Sequence, residues 1–138
     1  MGFCSLQSSN ISELKPLYAI TDHTSAVKAI DWCPWQNNVL ATGGGTNDCQ
    51  IKTWNIYNGT AYETIKTSSQ ITGLLWSANH KELLSSHGLP DNKLFIWKYP
   101  KLEKLAELNG HTGRILSIAL SPNQEKVASL AGDATIRF

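Results

Sequence analysis

Residues 23–66 read HTSAVKAIDWCPWQNNVLATGGGTNDCQIKTWNIYNGTAYETIK, and the order of strand and turn signals in this stretch decides the fold. Ala26–Cys33 alternates in part and ends at the turn Pro34-Trp35. Val39–Thr42 is a short apolar run that Gly43-Gly44-Gly45 is expected to stop. Gln50–Ile56 alternates around Ile51, Trp54 and Ile56. Asn58-Gly59 then forms a hairpin turn ahead of Thr60–Ile65. The stretch therefore predicts four short strands.

The same register recurs outward along the chain. Val27, Ile71 and Ile115 are spaced 44 and 44, and so are Pro34, Ala78 and Pro122. His23 and His111 lie 88 apart, with Thr67 at the intervening position. Asp48, Asp91 and Asp133 are spaced 43 and 42. Trp54 and Trp97 each follow their Asp by six residues, and a third Trp would fall at 139. Four strands in about 44 residues, repeated, are the mark of a propeller blade. The second unit predicts strands at Gln70–Trp76, Glu82–Ser86, Lys93–Lys98 and Glu103–Leu108. The third predicts Arg114–Ser121, Lys126–Leu130 and Ala134–Phe138.

The predicted organisation is all-β. Residues 1–13 are a loose segment and 14–21 the outer strand of an incomplete blade. Repeats follow at 22–66, 67–108 and 109–138, the last one truncated. A ring closes with typically about four to eight blades, and about three are predicted here. Uncovered terminal blades expose edges and apolar faces, so the expectation is a marginal monomer, a fragment, or a chain that self-associates.

Composition excludes several classes. With 12 Lys+Arg against 11 Asp+Glu, the net charge of +1 predicts neither nucleic acid nor an anionic membrane as partner. No apolar run approaches the roughly 18 residues of a spanning helix, and the first residues lack the layout of a signal peptide. Cys4, Cys33 and Cys49 are too few and too scattered for a structural zinc site or a disulfide framework. They read as reduced thiols, and the expected location is the nucleus and cytoplasm. Asn10-Ile11-Ser12 and Asn58-Gly59-Thr60 match the glycosylation pattern only by coincidence in that setting.

No catalytic residue, metal or cofactor is expected. Gly43-Gly44-Gly45-Thr46 lacks the Lys and following helix of a phosphate loop, and no nucleophile elbow or zinc-protease motif occurs. The repeated His and Asp residues read as scaffold, because fixed spacing marks structure rather than a single site. Trp35 has no counterpart in the other units and reads as packing against a loop or lining a surface patch.

Gly110-His111 followed by Asp133, and His23, Asp48 and Trp54 before them, resemble the WD-repeat pattern. In that family His, a hydroxyl residue, Asp and Trp form a hydrogen-bonded set within each blade. The resemblance implies His23, Thr42, Asp48 and Trp54 in the first unit. It implies Thr67, Ser86, Asp91 and Trp97 in the second, and His111, Ser129 and Asp133 in the third.

Residues 26–36 (AVKAIDWCPWQ), Leu40–Thr46, Lys81–Leu84, His87-Gly88 and Ile96–Pro100 further resemble the Fizzy and Fizzy-related coactivators of the anaphase-promoting complex. Gly110-His111-Thr112 and Arg137-Phe138 continue the match. The resemblance implies the last blades of an expected seven-bladed ring that binds degradation motifs, the KEN box and the destruction box, for a ubiquitin ligase. Its implied partners are that ligase and KEN-box substrates.

The resemblance also implies that Thr46, Gln70 and Arg114 contribute to the KEN pocket. Gln70 and Arg114 are 44 apart, just before the first strand of successive units, and Thr46 lies in a loop on the same side. Arg114 is a candidate partner for the Glu side chain. Ala134 stands where the family has an acidic residue for the destruction box, so that motif loses a charge partner. Neither of the family's ligase-docking elements is expected in this stretch. The expected function is the degron-binding part of a coactivator, with a non-catalytic interaction fragment as the alternative.

Overall fold

The computed structural model describes residues 2–4, 16–19, 23–132 and 136–137. β1 (Gly2–Cys4) pairs antiparallel with β2 (Pro16–Ala19). The first sheet runs in chain order through β3 (Val27–Trp32), β4 (Val39–Gly44), β5 (Gln50–Asn55) and β6 (Thr60–Lys66). The second comprises β7 (Ile71–Ser77), β8 (Glu82–His87), β9 (Leu94–Lys98) and β10 (Glu103–Leu108). The third comprises β11 (Ile115–Leu120), β12 (Val127–Ala131) and β13 (Ile136–Arg137). There is no helix among the described residues. β3 packs on β7 and β7 on β11, so the first strands of successive sheets lie together. β4 is wholly buried, whereas β6 is largely exposed. These are successive antiparallel blades of a β-propeller.

Two readings change. The stretch expected to be loose contains β1, whose three residues are too few to carry an alternation signal. The run expected to stop at Thr42 continues through Gly43 and Gly44, which remain in β4.

The 44-residue spacing of Val27, Ile71 and Ile115 has a geometric meaning. Each first strand carries an irregularity at that point, between Val27 and Ala29, Ile71 and Gly73, and Ile115 and Ser117. A bulge adds local twist. Here it recurs where each strand enters its blade.

Apolar burial and a few polar contacts join the blades. Ala29, Val39, Ile51, Ile71, Leu74 and Trp76 belong to one core shared by the first two sheets. Across it, the Trp76 amide donates to Asp31 Oδ2 at 3.0 Å and the Trp76 indole to the Asp31 carbonyl at 3.1 Å. Burial pushes the Asp31 carboxyl up, and the Trp76 amide opposes that rise. Trp35 packs edge-on against Trp76 and Tyr99, with both ring centroids at 5.2 Å, so it belongs to the seam between blades. Between the second and third sheets, the Asn79 amide donates to Gln124 Oε1 and the Asn79 side chain to the Asn123 carbonyl.

Gly43 is required by close approach. A Cβ there would lie 2.4 Å from Ile71 Cγ2 and 2.7 Å from Ile71 Cβ, and Ile71 is fully buried in the next blade. Gly43→Ala is expected to lower stability by about 1–3 kcal/mol in urea unfolding, as overpacking does. Gly132→Ala, whose nearest neighbour among the described residues would be 3.7 Å away, is expected to stay within about 0.5 kcal/mol of the unsubstituted chain.

Candidate functional site

In the first blade a polar chain runs beneath the upper loops. The Trp54 indole donates to Thr42 Oγ1 at 2.9 Å. Thr42 Oγ1 lies 2.7 Å from His23 Nε2, and His23 Nδ1 lies 2.5 Å from Asp48 Oδ2. The carboxylate can only accept, so Nδ1 carries a proton, and a neutral ring then takes the Thr42 hydroxyl hydrogen at Nε2. Asp48 Oδ1 also accepts from the Thr24 amide and hydroxyl at 3.0 and 3.1 Å. Burial alone would raise the Asp48 carboxyl, but the bonds from Thr24 and His23 outweigh it and hold it below its ordinary value.

The second blade departs from the pattern expected of it. The Trp97 indole donates to Ser85 Oγ at 2.8 Å, not to Ser86. Ser85 faces Phe95 across the ladder as Thr42 faces Lys52, and in both blades the Trp stands two residues further on. A shift of one residue turns a side chain to the opposite face. Ser86 accordingly bonds Thr72 Oγ1 at 2.9 Å on the other side. The missed signal was in the spacing. Asp and Trp recur after 43 residues here, and 43 added to Thr42 leads to Ser85.

The imidazole of this blade is His87, from the end of β8. Its Nε2 lies 2.8 Å from Ser85 Oγ and its Nδ1 3.0 Å from Ser69 Oγ. Ser69 donates to Asp91 Oδ2 at 2.8 Å, and Ser68 Oγ donates to the same oxygen at 2.5 Å. Followed back from the carboxylate, Ser69 accepts from Nδ1–H and Ser85 donates to Nε2. Every hydrogen is used by a neutral ring, and a second ring proton would have to take the lone pair of Ser85 Oγ, turning that hydroxyl's own hydrogen away from its partner. Burial pushes His87 down to about 4, with Lys104 assisting and the Asp91 carboxylate opposing. Burial alone would raise Asp91, but the Ser68 and Ser69 hydroxyls outweigh it and hold the carboxyl low.

Thr67, at the position of His23, instead sets its hydroxyl against the carbonyls of Cys49 and Ser69 at 2.8 and 2.9 Å, linking the two blades. In the third blade His111 Nε2 lies 2.8 Å from Ser129 Oγ. Asp133 and Ala134 lie outside the described residues.

Thr46, Gln70 and Arg114 meet on the loop side of these chains. Thr46, in the β4–β5 loop, donates its hydroxyl to Gln70 Oε1 at 3.4 Å. Gln70 and Arg114 directly precede β7 and β11, and both side chains lie against Gly88. The backbone repeats at this level. Gly45, Gly88 and Gly132 donate their amides to the carbonyls of Ala26, Gln70 and Arg114 at 2.9, 3.2 and 2.8 Å. Thr46 and Arg114 are exposed and Gln70 is half-buried. Among the described residues no acceptor engages the Arg114 guanidinium. A hydroxyl, an amide and a cation side by side suit a short polar peptide bearing a carboxylate. Among the described residues no group of three His, Cys, Asp or Glu side chains is placed to hold a metal.

The family described as WD domain, G-beta repeat matches residues 14–55 and 102–138, more than half of the chain. The chain belongs to that WD-repeat family. This WD-repeat chain is 54% identical over 134 residues to Cell division cycle 20.1, cofactor of APC complex, of Arabidopsis thaliana, covering 97% of itself and 29% of that relative. It is 48% identical over 123 residues to Anaphase-promoting complex subunit cdc20 of Dictyostelium discoideum, covering 89% of itself and 25% of that relative. A chain in the crystal structure of a mitotic checkpoint complex superposes with a TM-score of 0.86 at 45% identity, covering 89% of this chain and 38% of that one. The WD-repeat chain thus spans less than a third of the length of either curated relative.

The buried His87 sets a pH dependence. Its folded value lies below its ordinary 6.5, so an unfolded chain binds the proton more readily. Its contribution is complete above about pH 6.5 and is lost as pH falls toward 4, an effect of about 3 kcal/mol. Asp48 and Asp91, held below 3.8, lose their contributions only at still lower pH. Urea unfolding between pH 7 and 4.5 is expected to show this decline, flattened in His87→Gln. Ser85→Ala is expected to cost about 1–3 kcal/mol at pH 7, because it strips partners from two buried groups, and Ser86→Ala less.

Proposed function

We propose that this chain is the degron-binding part of a coactivator of the anaphase-promoting complex, promoting ubiquitin-dependent proteolysis in the cell cycle. Its role is recognition of a Lys-Glu-Asn motif rather than catalysis. One observation carries the reading. Gln70 and Arg114, from successive blades, lie against Gly88, and Thr46 of the blade before reaches the Gln70 amide oxygen. Similarity to relatives named as cofactors of the APC complex supplies the ligase as the partner the motif serves. Arg114 takes the peptide carboxylate in a charge-assisted bond, and Gln70 and Thr46 serve the peptide's polar groups. The expected location is the nucleus and cytoplasm.

A second reading rests on apolar side chains at the outer sheets. Ile30, Leu116 and Leu130 are 54%, 48% and 43% exposed. Faces of this kind pack on other β-structure, and a second copy of the chain supplies it. Sedimentation at increasing concentration is expected to show reversible self-association. A compact monomer that unfolds cooperatively throughout would overturn this second reading.

The recognition reading is tested by fluorescence anisotropy with a labelled peptide containing Lys-Glu-Asn. Saturable binding is expected, with a loss of roughly tenfold or more in Arg114→Ala and with the peptide's three residues replaced by Ala. A folded chain that does not bind sinks it.

A further inference from the structure

Three glycines occupy the same place in successive blades, and among the described residues Gly88 alone lies against side chains of the site. Gly45, Gly88 and Gly132 each donate an amide to the carbonyl of the residue before the first strand. None of the three has a positive φ, so the backbone there does not itself demand glycine. At Gly132 a Cβ would have no neighbour closer than 3.7 Å among the described residues. At Gly45 its nearest neighbours would be the Ala26 carbonyl oxygen and Ser25 Oγ, both at 3.3 Å. At Gly88 it would stand 2.4 Å from Gln70 Nε2, 2.9 Å from Gln70 Cγ and 3.0 Å from Arg114 Cγ.

We propose that Gly88 is a positioning residue of the peptide site: its bare Cα lets the Gln70 amide and the Arg114 stem rest on one floor. The inference rests on the recognition reading above. Any side chain at 88 has to displace Gln70, both its amide and its stem at Cγ, so the half-buried side chain must take another rotamer. Displacing it also breaks the contact from Thr46 Oγ1 to Gln70 Oε1. A methyl group at 88 therefore disorganises two of the three recognition side chains while leaving the blade standing. Gly88 is itself buried, so the ligand meets its effect through Gln70 and Arg114 rather than by touching it.

The test is a double-mutant cycle on the whole chain with the Lys-Glu-Asn peptide. Gly88→Ala is expected to weaken binding roughly tenfold while the thermal midpoint stays within a few degrees. In a Gln70→Ala background the same change is expected to cost less than about threefold, because the group it displaces is gone. The Gln70 side-chain amide resonances should shift in Gly88→Ala without peptide present. Unchanged affinity and unmoved Gln70 resonances would overturn the proposal. So would a loss of the same size in the Gln70→Ala background. No binding by the unsubstituted chain, with the Gln70 resonances still moving, would overturn the recognition reading and uphold the spacing role of Gly88.

Discussion

Each of the first two blades buries an indole, a hydroxyl, an imidazole and a carboxylate in one connected chain, and the loops above depend on that chain being complete. A buried polar group without a partner costs on the order of 1–3 kcal/mol, so the chain holds only with all members in register. It grips both ends of the upper surface. Asp48, from the loop after β4, holds Thr24 ahead of β3, and Asp91 holds Ser68 and Ser69 ahead of β7. Thr46 lies two residues before Asp48, and Gln70 directly follows Ser69. The recognition side chains thus inherit their places from hydrogen bonds they do not make themselves.

The architecture was legible because turns and strands punctuate the chain at a near-constant period. The exceptions came where that period slips. Counting 44 from Thr42 points to Ser86, but a one-residue shortening between the β4 and β8 registers brings Ser85 to the Trp97 indole. Relocation of the imidazole from the loop position of His23 to His87 was hidden for another reason. Thr67 occupies the old position, and no rule of spacing says that a strand end can supply the ring. The glycine triplet misled in the same way. Glycine reads locally as a stop, while Gly43 belongs inside β4 because Ile71 of the next blade needs its space. Trp35 found its partners, Trp76 and Tyr99, in a different blade.

The site shows the same division between local and lateral information. Equal spacing put Gln70 and Arg114 at one level of successive blades, and resemblance to a family supplied their role. The bond from Thr46 to Gln70 and the floor at Gly88 were not legible. They are contacts between blades, and periodicity within a blade says nothing of how close its neighbour comes. What the structure adds is the sideways dimension.

The repeated amide bond from Gly45, Gly88 and Gly132 to the residue ahead of each first strand has an evolutionary consequence. It binds the main chain of Ala26, Gln70 and Arg114 alike, whatever side chain that residue carries. Folding is thereby indifferent to the letter written at these positions, and a methyl, an amide and a guanidinium already coexist there. Selection can rewrite the lettering around the rim one blade at a time without renegotiating the blade beneath. A propeller built this way works as a keyboard, whose vocabulary can change while its mechanics stay the same.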